Sequence, residues 1–215
     1  MLKLLKKELR LALHPTAPLF LALSGMLMIP NYPYLVVFFY TGLAVFFTCL
    51  TGRENHDIDY TMLLPVGKRD VVRARILLVA LLEMAQLAVA IPFAMLRQRL
   101  LPEPNLAGMD ANIALFALAL LQMGLFNLIF FRAYYRDVRK VGAAFAATSV
   151  MTFFFIAIME AMTYVLPFFR DVLDTPDPEH LPAKLLTLLA GAIAFAALTY
   201  LSCCRAERDF ERQDI

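Results

Sequence analysis

The chain has 215 residues, of which 61% are hydrophobic and 18% are charged, with a net charge of +2 and a mean hydropathy of +0.68. An ordinary soluble domain has roughly 45–50% apolar and about 25% charged residues, and a disordered chain is poor in apolar residues, so both classes are excluded. Because one membrane-spanning helix uses roughly 20 apolar residues, the composition allows about six spans with short loops. A separate catalytic domain of roughly 100 residues has no room.

Residues 1–15 form a basic amphipathic segment. Leucines from Leu2 to Leu13 recur at helical spacing on one face, and basic residues recur on the other face. This pattern predicts a helix that lies in the membrane interface. A secretory signal peptide is the alternative, but charges run through the segment and no A-x-A cleavage site follows it. Pro15 and Pro18 then break the helix and turn the chain.

Six apolar segments follow, and each predicts a membrane-spanning helix. They cover about residues 16–29, 34–51, 71–96, 112–131, 141–166 and 183–204. The backbone of a span must satisfy its hydrogen bonds internally, and the alternation expected of a β-barrel is missing. The sequence therefore predicts an all-α integral membrane protein with a single transmembrane domain over residues 1–215. Residues 205–215 are expected to form a charged, solvated tail.

The distribution of basic residues predicts the orientation. If the N-terminus lies inside, all but four of the 20 lysines and arginines fall in cytoplasmic segments. The four on the other side are Arg97, Arg99, Arg170 and Lys184. This is a strong positive-inside bias. We therefore expect both termini in the cytoplasm and an even number of spans.

Several catalytic motifs are missing from the sequence. A P-loop requires G-x-x-x-x-G-K-[ST], because its backbone amides cradle phosphates. At the only Gly-Lys pair, Gly67-Lys68, Met62 replaces the first glycine and Arg69 replaces the serine or threonine. The sequence also contains no H-E-x-x-H and no G-x-S-x-G. We therefore predict that the chain is not an enzyme, binds no metal and holds no cofactor itself.

The polar segment 52–70 is the most informative stretch. Asn55 is expected to cap a short helix whose first turns hold Asp57 and Asp59, where the helix dipole favours acidic residues. Pro65 ends this helix, because the residue before a proline is pushed out of the α region. The pattern predicts a short helix parallel to the membrane and presented to the cytoplasm. A plain interfacial loop is the alternative.

The same stretch resembles the permease family of type 2 ATP-binding-cassette (ABC) transporters. The resemblance rests on Arg53-Glu54 at the end of a span, then Leu63-Leu64-Pro65-Val66, then Arg69, Val72 and a basic residue at Arg75. The basic N-terminal helix and the charged ending Phe210-Glu211-Arg212-x-Asp214-Ile215 are also similar to the small six-span bacterial members. The sequence departs from the family pattern after Glu54, where Asn-His-Asp stands in place of Ser-Gly-Thr.

The resemblance implies that the short helix is a coupling helix that docks on a separate P-loop ATPase subunit. By resemblance, its residues are Arg53, Glu54, Asn55, His56, Asp57, Ile58, Asp59, Tyr60, Thr61, Met62, Leu63, Leu64 and Pro65. ATP and Mg would be bound by that partner and not by this chain. A second permease copy or paralogue and membrane lipids are the other implied partners, and nucleic acid is not. The implied location is the bacterial plasma (inner) membrane.

A few polar residues lie inside the predicted spans. Such residues usually face a cavity or a partner and are functional candidates. We expect Glu83, Gln86, Gln122 and Asn127 to form one hydrogen-bonded cluster, with a role as inter-helix contacts as the alternative. Glu160, in the outer half of the fifth span, would form part of a gate or meet a cationic substrate. Packing against a Thr or Tyr hydroxyl is its alternative role.

Four functions fit these observations to different degrees. The first is the permease half of an ABC exporter for a peptide, lipid or antibiotic of hydrophobic or amphipathic character. The second is a self-contained proton-coupled secondary transporter, which would be expected to contain inverted repeats with interrupted helices, and none is found. The third is a membrane enzyme, which the missing motifs disfavour. The fourth is a structural membrane subunit without a transport role.

Overall fold

The computed structural model describes residues 2–101 and 103–213, and within them every regular element is a helix. Helix α1 starts with an α-helical part, Leu2–Lys7, and continues as a π-helical turn, Glu8–Ala12. Helix α2 starts with an α-helical part, Ala17–Ala22, and continues as a 3₁₀ helix, Leu23–Met28. The other elements are α3 (Leu35–Glu54), α4 (Asp57–Met62), α5 (Lys68–Leu100), α6 (Ile113–Tyr134), α7 (Val141–Val165), a π-helical turn (Phe169–Leu173) and α8 (Leu181–Glu211). The all-α prediction is confirmed. Asp214 and Ile215, which belong to the charged ending named above, lie outside the described residues.

Five of the helices, α3, α5, α6, α7 and α8, are long and apolar enough to cross a membrane. The segment predicted as the first span, 16–29, is shorter than the others. Its helical part, α2, is only about 21 Å long, whereas the hydrocarbon core is about 30 Å thick. It reaches the length and apolarity of a span only together with α1, from which it is bent by 85°. The described part of the chain therefore holds five complete candidate spans, or six if this bent pair counts as one.

Two of the spanning helices are much longer than the membrane is thick. The 33 residues of α5 and the 31 residues of α8 give lengths of about 50 Å and 46 Å. Both helices project past the end of the bundle where α4 lies, which we call the coupling end. The prediction of a solvated tail is therefore wrong for residues 205–211, which continue α8. Ala206 and Phe210, four residues apart, are fully buried there.

Helix α6 forms the centre of the bundle. In its apolar stretch 67% of residues are buried, against 28% in α7 and 11% in α8. The side chain of Asn112 caps its first turn by accepting the Leu115 N–H at 3.1 Å. Because α8 is covered by protein on so little of its surface, most of its apolar side chains face the membrane.

The close approach of α6 and α8 depends on a glycine. A Cβ atom added at Gly191 would lie 2.4 Å from the carbonyl oxygen of Ala117, closer than any real contact. Small residues allow membrane helices to approach backbone to backbone, where packing and not the hydrophobic effect holds them together. Gly142 in α7 has open space around its Cβ position and offers a matched comparison.

We predict that Gly191→Ala lowers the melting temperature of the purified protein by several degrees, because α6 and α8 must separate to relieve the overlap. Gly142→Ala should leave it unchanged or raise it slightly, since alanine is the better helix former. Thermal melts followed by fluorescence-detected size-exclusion chromatography measure both variants. Equal melting temperatures for the two variants would contradict the packing argument.

Candidate functional site

A short helix is present as α4 where the sequence predicts one, but its boundaries and its cap differ from the prediction. Asn55 does not cap it, because α3 continues to Glu54 and the Asn55 N–H is bonded to the Thr51 carbonyl of that helix at 2.9 Å. The residue at the N-cap position of α4 is instead His56, whose backbone is in the left-handed region with a φ of 53°. This residue turns the chain sharply from α3 into α4.

The residues expected in the coupling helix therefore fall into three parts. Arg53 and Glu54 belong to the last turn of α3, and Asp57–Met62 form α4 itself. Leu63 and Leu64 form a turn beyond the helix, and the Val66 N–H is bonded to the Leu64 carbonyl at 2.7 Å. Pro65 lies within this turn, three residues after the helix has ended at Met62.

A buried ion network connects α4 to two other segments. The Arg75 guanidinium of α5 donates from Nε to Glu8 of α1, and from Nη2 to Asp57 Oδ2 of α4 at 2.6 Å. Lys7 Nζ lies 2.5 Å from Asp57 Oδ1 and 3.1 Å from Glu8 Oε1, and donates to Thr61 Oγ1 at 2.9 Å. Arg75 and Glu8 are 2% and 1% exposed. Two cations and two carboxylates thus balance each other.

This network fixes α1, α4 and α5 relative to one another. Burying a single unpaired charge is costly, so each member depends on the two members of opposite charge for compensation. No local pattern in the sequence predicts that Lys7, Glu8 and Arg75 belong to one network. One signal in the sequence does point to it: Glu8 is the only acidic residue in the otherwise basic segment 1–15. An acid on a basic helix indicates a specific partner elsewhere.

The opposite face of the same segment is apolar and exposed. Tyr60, Leu63 and Leu64 are 68%, 81% and 53% exposed, and we call these three residues the coupling patch. Ile58 and Thr61 of α4 point the other way and are buried. Contiguous exposed apolar residues mark interaction surfaces. The geometry therefore separates one face of α4 that is fixed to the bundle from another that is available to a partner.

A crevice of about 230 Å³ lies beside α4. It is bounded on one side by Ile58 and Asp59 of α4, and on the other by Tyr134 at the end of α6 and by Val138 and Arg139 of the α6–α7 connector. Arg53 Nη1 crosses it and donates to the Arg139 carbonyl at 3.3 Å. The crevice thus brings the α6–α7 connector to the same surface as α4.

The projecting ends of α5 and α8 are held together by surface ion pairs. Arg69 Nε lies 2.7 Å from Glu211 Oε1, and Arg73 Nε lies 2.7 Å from Glu207 Oε1. Exposed pairs of this kind contribute about 0–1 kcal/mol each. The buried Tyr135 and Phe210 rings, 5.2 Å apart, add an apolar contact between α6 and α8 at the same level.

The expected four-membered polar cluster inside the membrane is not formed. Asn127 Nδ2 donates to Glu83 Oε2 at 2.9 Å and to Thr199 Oγ1 at 3.2 Å, which joins α5, α6 and α8. Gln86 Nε2 donates instead to Ser24 Oγ of α2 at 2.8 Å. Gln122 Nε2 donates to the Leu35 carbonyl of α3 at 3.2 Å.

The four residues separate because nearer acceptors are available on α2 and α3. The short α2 brings a serine hydroxyl against α5, and the first turn of α3 leaves a carbonyl oxygen in reach of α6. Each of these polar side chains thus bridges two helices, the arrangement by which polar groups hold membrane bundles together. Glu83 and Asn127 are the only pair of the predicted cluster that the described hydrogen bonds join.

Glu160 contacts a loop and not a hydroxyl group. Its Oε2 accepts the Met109 N–H at 2.9 Å, in the connection between α5 and α6. Tyr164, one helical turn further on, donates from its hydroxyl to the Leu106 carbonyl of the same loop at 2.6 Å. These contacts fasten the loop to the end of α7 that lies opposite the coupling end, which we call the far end.

The far end also holds a half-buried acidic loop. Asp174 Oδ1 accepts the Asp110 N–H at 2.6 Å, and Lys184 Nζ lies 2.9 Å from Asp177 Oδ1. Burial raises the pKa of Asp174 to about 7, with the carboxylates of Asp110 and Glu160 acting in the same direction and Lys184 against it. Burial also raises the pKa of Asp110.

These features define an α-helical, multi-pass membrane protein with a short helix at one end beside exposed apolar side chains. The family model for ABC-2 family transporter proteins matches residues 3–206. The chain belongs to this family and is a membrane permease subunit of an ABC transporter. No curated protein and no solved structure matches the chain. The family forms the membrane component of a transporter and is not itself catalytic.

We predict that Arg75→Gln strongly destabilises the protein and frees α4. Removing one partner of a buried ion network leaves uncompensated charge and costs about 3–5 kcal/mol. The readouts are the melting temperature and the rate of proteolysis after Arg53 and within α4. Arg73→Gln is the matched control, because Arg73 lies two residues away and pairs with Glu207 at the exposed surface. Equal behaviour of the two variants would refute the proposed difference.

The raised pKa of Asp174 predicts how stability depends on pH. A carboxyl group whose pKa rises from the ordinary 3.8 to about 7 on folding stabilises the fold fully below about pH 4. This contribution is lost as the pH rises to about 7. The melting temperature should therefore fall between about pH 4 and about pH 7, and fall less in Asp174→Asn.

Asp171→Asn is the control for this pH dependence. Asp171 is exposed, and its hydrogen bond from Arg170 lowers its pKa, which is the opposite direction. The variant should keep the wild-type decline of the melting temperature with pH. A decline of the same size in Asp174→Asn would show that another group carries it.

Proposed function

We propose that this chain forms the translocation pathway of an ABC exporter for a hydrophobic or amphipathic cargo. A separate P-loop ATPase subunit binds the coupling patch and hydrolyses ATP. The observation that carries the proposal is the division of the coupling segment into two faces. Asp57 fixes one face to Arg75 in the interior, and Tyr60, Leu63 and Leu64 leave the other exposed.

This arrangement suits the transmission of motion. A displacement of α4 by the ATPase acts through Asp57 on Arg75, which lies in the first turns of α5. Because α5 is about 50 Å long, a small tilt at the coupling end becomes a larger movement at the far end. Glu8 makes α1 follow the same displacement. The three helices then act as one lever.

A second permease copy or paralogue completes the proposed pathway. Helix α7 exposes Val150, Phe154 and Ile158 at successive turns, so one apolar stripe runs along it that none of the described residues covers. In the permease family that the sequence resembles, the fifth span, which is α7 here, lies near a two-fold axis, and this supports the proposal of a second subunit on this face. Membrane lipids would cover the exposed faces that remain.

The proposed location is the bacterial plasma membrane, with the coupling end and both termini in the cytoplasm. The support is the asymmetry of basic residues. Arg53, Arg69 and Arg73 are among the many cations at the coupling end, whereas the far end carries Arg97, Arg99, Arg170 and Lys184. Glu160 remains a candidate for the outer gate, acting through the loop that it holds.

We predict that the tagged chain, purified from its native host, brings down a P-loop ATPase, and that Leu63→Ser reduces this recovery several-fold. Losing a fully exposed leucine from a docking surface removes contact area without disturbing the fold. Leu106→Ser is the control, because Leu106 is similarly exposed, at 73%, but lies at the far end. Quantitative mass spectrometry of the purified complex measures the recovery.

Transport by the reconstituted complex separates this proposal from the alternatives. An exporter loses ATP-dependent cargo flux in Leu63→Ser and keeps it in Leu106→Ser. A proton-coupled secondary transporter would show flux in liposomes that hold this chain alone under a pH gradient. A structural subunit would bind the ATPase but show no flux. Either of the last two results would overturn the exporter proposal.

A further inference from the structure

A groove of about 680 Å³ opens at the far end between α5, α6 and α8. Its walls inside the membrane are apolar, with Leu87 and Ile91 from α5, Leu120 from α6 and Leu188 from α8. At its far-end rim the lining becomes polar, with Arg99 and Asp177. The groove therefore has the amphipathic character of a lipid molecule.

The length of the groove matches one leaflet of a bilayer. From Leu87 to Arg99 the wall follows 12 residues of α5, or about 18 Å along the helix axis. One leaflet contributes about half of a hydrocarbon core that is about 30 Å thick. A lipid chain of the far-end leaflet thus fits along the whole groove while its headgroup lies level with Arg99.

The charges at the rim select the headgroup. Asp177 is compensated, because Lys184 Nζ lies 2.9 Å from its Oδ1 and the Ile113 N–H donates to its Oδ2 at 3.0 Å. Arg99 is exposed, and among residues 2–101 and 103–213 it forms no ion pair. The rim therefore presents one uncompensated positive charge beside an apolar channel.

We propose that this groove is a binding site for an anionic phospholipid of the far-end leaflet, with one acyl chain along α5 and the headgroup phosphate on Arg99. Burial of chain methylenes supplies the affinity, and the guanidinium donates two hydrogen bonds to the headgroup phosphate. The preference for an anionic lipid comes from net charge, because in a zwitterionic headgroup such as phosphatidylcholine the choline cation offsets the phosphate. The site lies away from the coupling patch and does not depend on the cargo.

The test is native mass spectrometry of the full-length protein reconstituted in an equimolar mixture of phosphatidylglycerol and phosphatidylcholine and then released from the membrane. We expect bound phosphatidylglycerol to exceed phosphatidylcholine about fivefold, the factor that one basic residue near an anionic surface gives. Arg99→Gln should bring the ratio close to one. Arg170→Gln is the matched control, because Arg170 is also exposed at the far end but pairs with Asp171 at 2.7 Å.

A second pair of variants tests the apolar part of the groove. Ile91→Trp fills the groove and should remove the retained lipid, whereas Ile193→Trp adds the same bulk to the exposed face of α8, outside the groove, and should retain it. Equal lipid ratios in Arg99→Gln and Arg170→Gln would mean that Arg99 only reaches into the headgroup layer. Unchanged retention in Ile91→Trp would place the lipid elsewhere. Either result overturns the proposal.

Discussion

The buried ion network of Lys7, Glu8, Asp57 and Arg75 is the interaction on which the coupling end depends. Each of its carboxylates contacts both cations. Removing any one of the four charges therefore leaves two others with only one partner of opposite charge. Replacing such a network by apolar residues is often neutral for stability, whereas breaking it is costly. Its value here is geometric. It holds the short helix α4 in one position. A helix of only six residues would not be stable by itself.

The interior of the bundle uses a different means of attachment. Within the membrane the lipid tails are as apolar as the side chains, so close packing and scattered polar contacts hold the helices. Gly191 lets α8 approach α6, and Asn127 joins both helices to Glu83 of α5. The two long helices meet again beyond the membrane through Arg69, Arg73 and their glutamates. Helix α5 thus takes part in every level of the structure.

Hydropathy predicted the spanning helices well because bilayer thickness and backbone hydrogen bonding leave few alternatives. The errors lie where tertiary contacts decide. Asn55 was assigned as a cap from its residue type, but α3 continues past the expected end and takes its N–H. Residues 205–211 were assigned to a solvated tail from their charges, although Ala206 and Phe210 at helical spacing indicated a buried face. Gln86 and Gln122 were placed in one cluster because the acceptors on α2 and α3 cannot be located from sequence.

The coupling segment illustrates what a motif can and cannot supply. The resemblance predicted a short helix between the second and third spans, and α4 lies at that position in the chain. It did not reveal which residues hold the segment to the bundle, because ion partners separated by 67 positions, such as Glu8 and Arg75, leave no local pattern. The lone acid on the basic first helix was the available sign. In membrane proteins of this kind, a residue whose charge is opposite to that of its neighbours along the chain therefore indicates an ion partner far away in sequence.

The two ends of α5 make opposite use of arginine, and the membrane explains the difference. At the coupling end Arg75 is enclosed by protein and needs carboxylates supplied by the chain itself. At the far end Arg99 lies on the surface beside an apolar groove, where the chain offers it no ion pair among the described residues. An arginine at that level can draw its counter-charge from the headgroup layer. The same helix thus connects a charge compensated inside the protein with a charge that the surrounding bilayer is left to compensate.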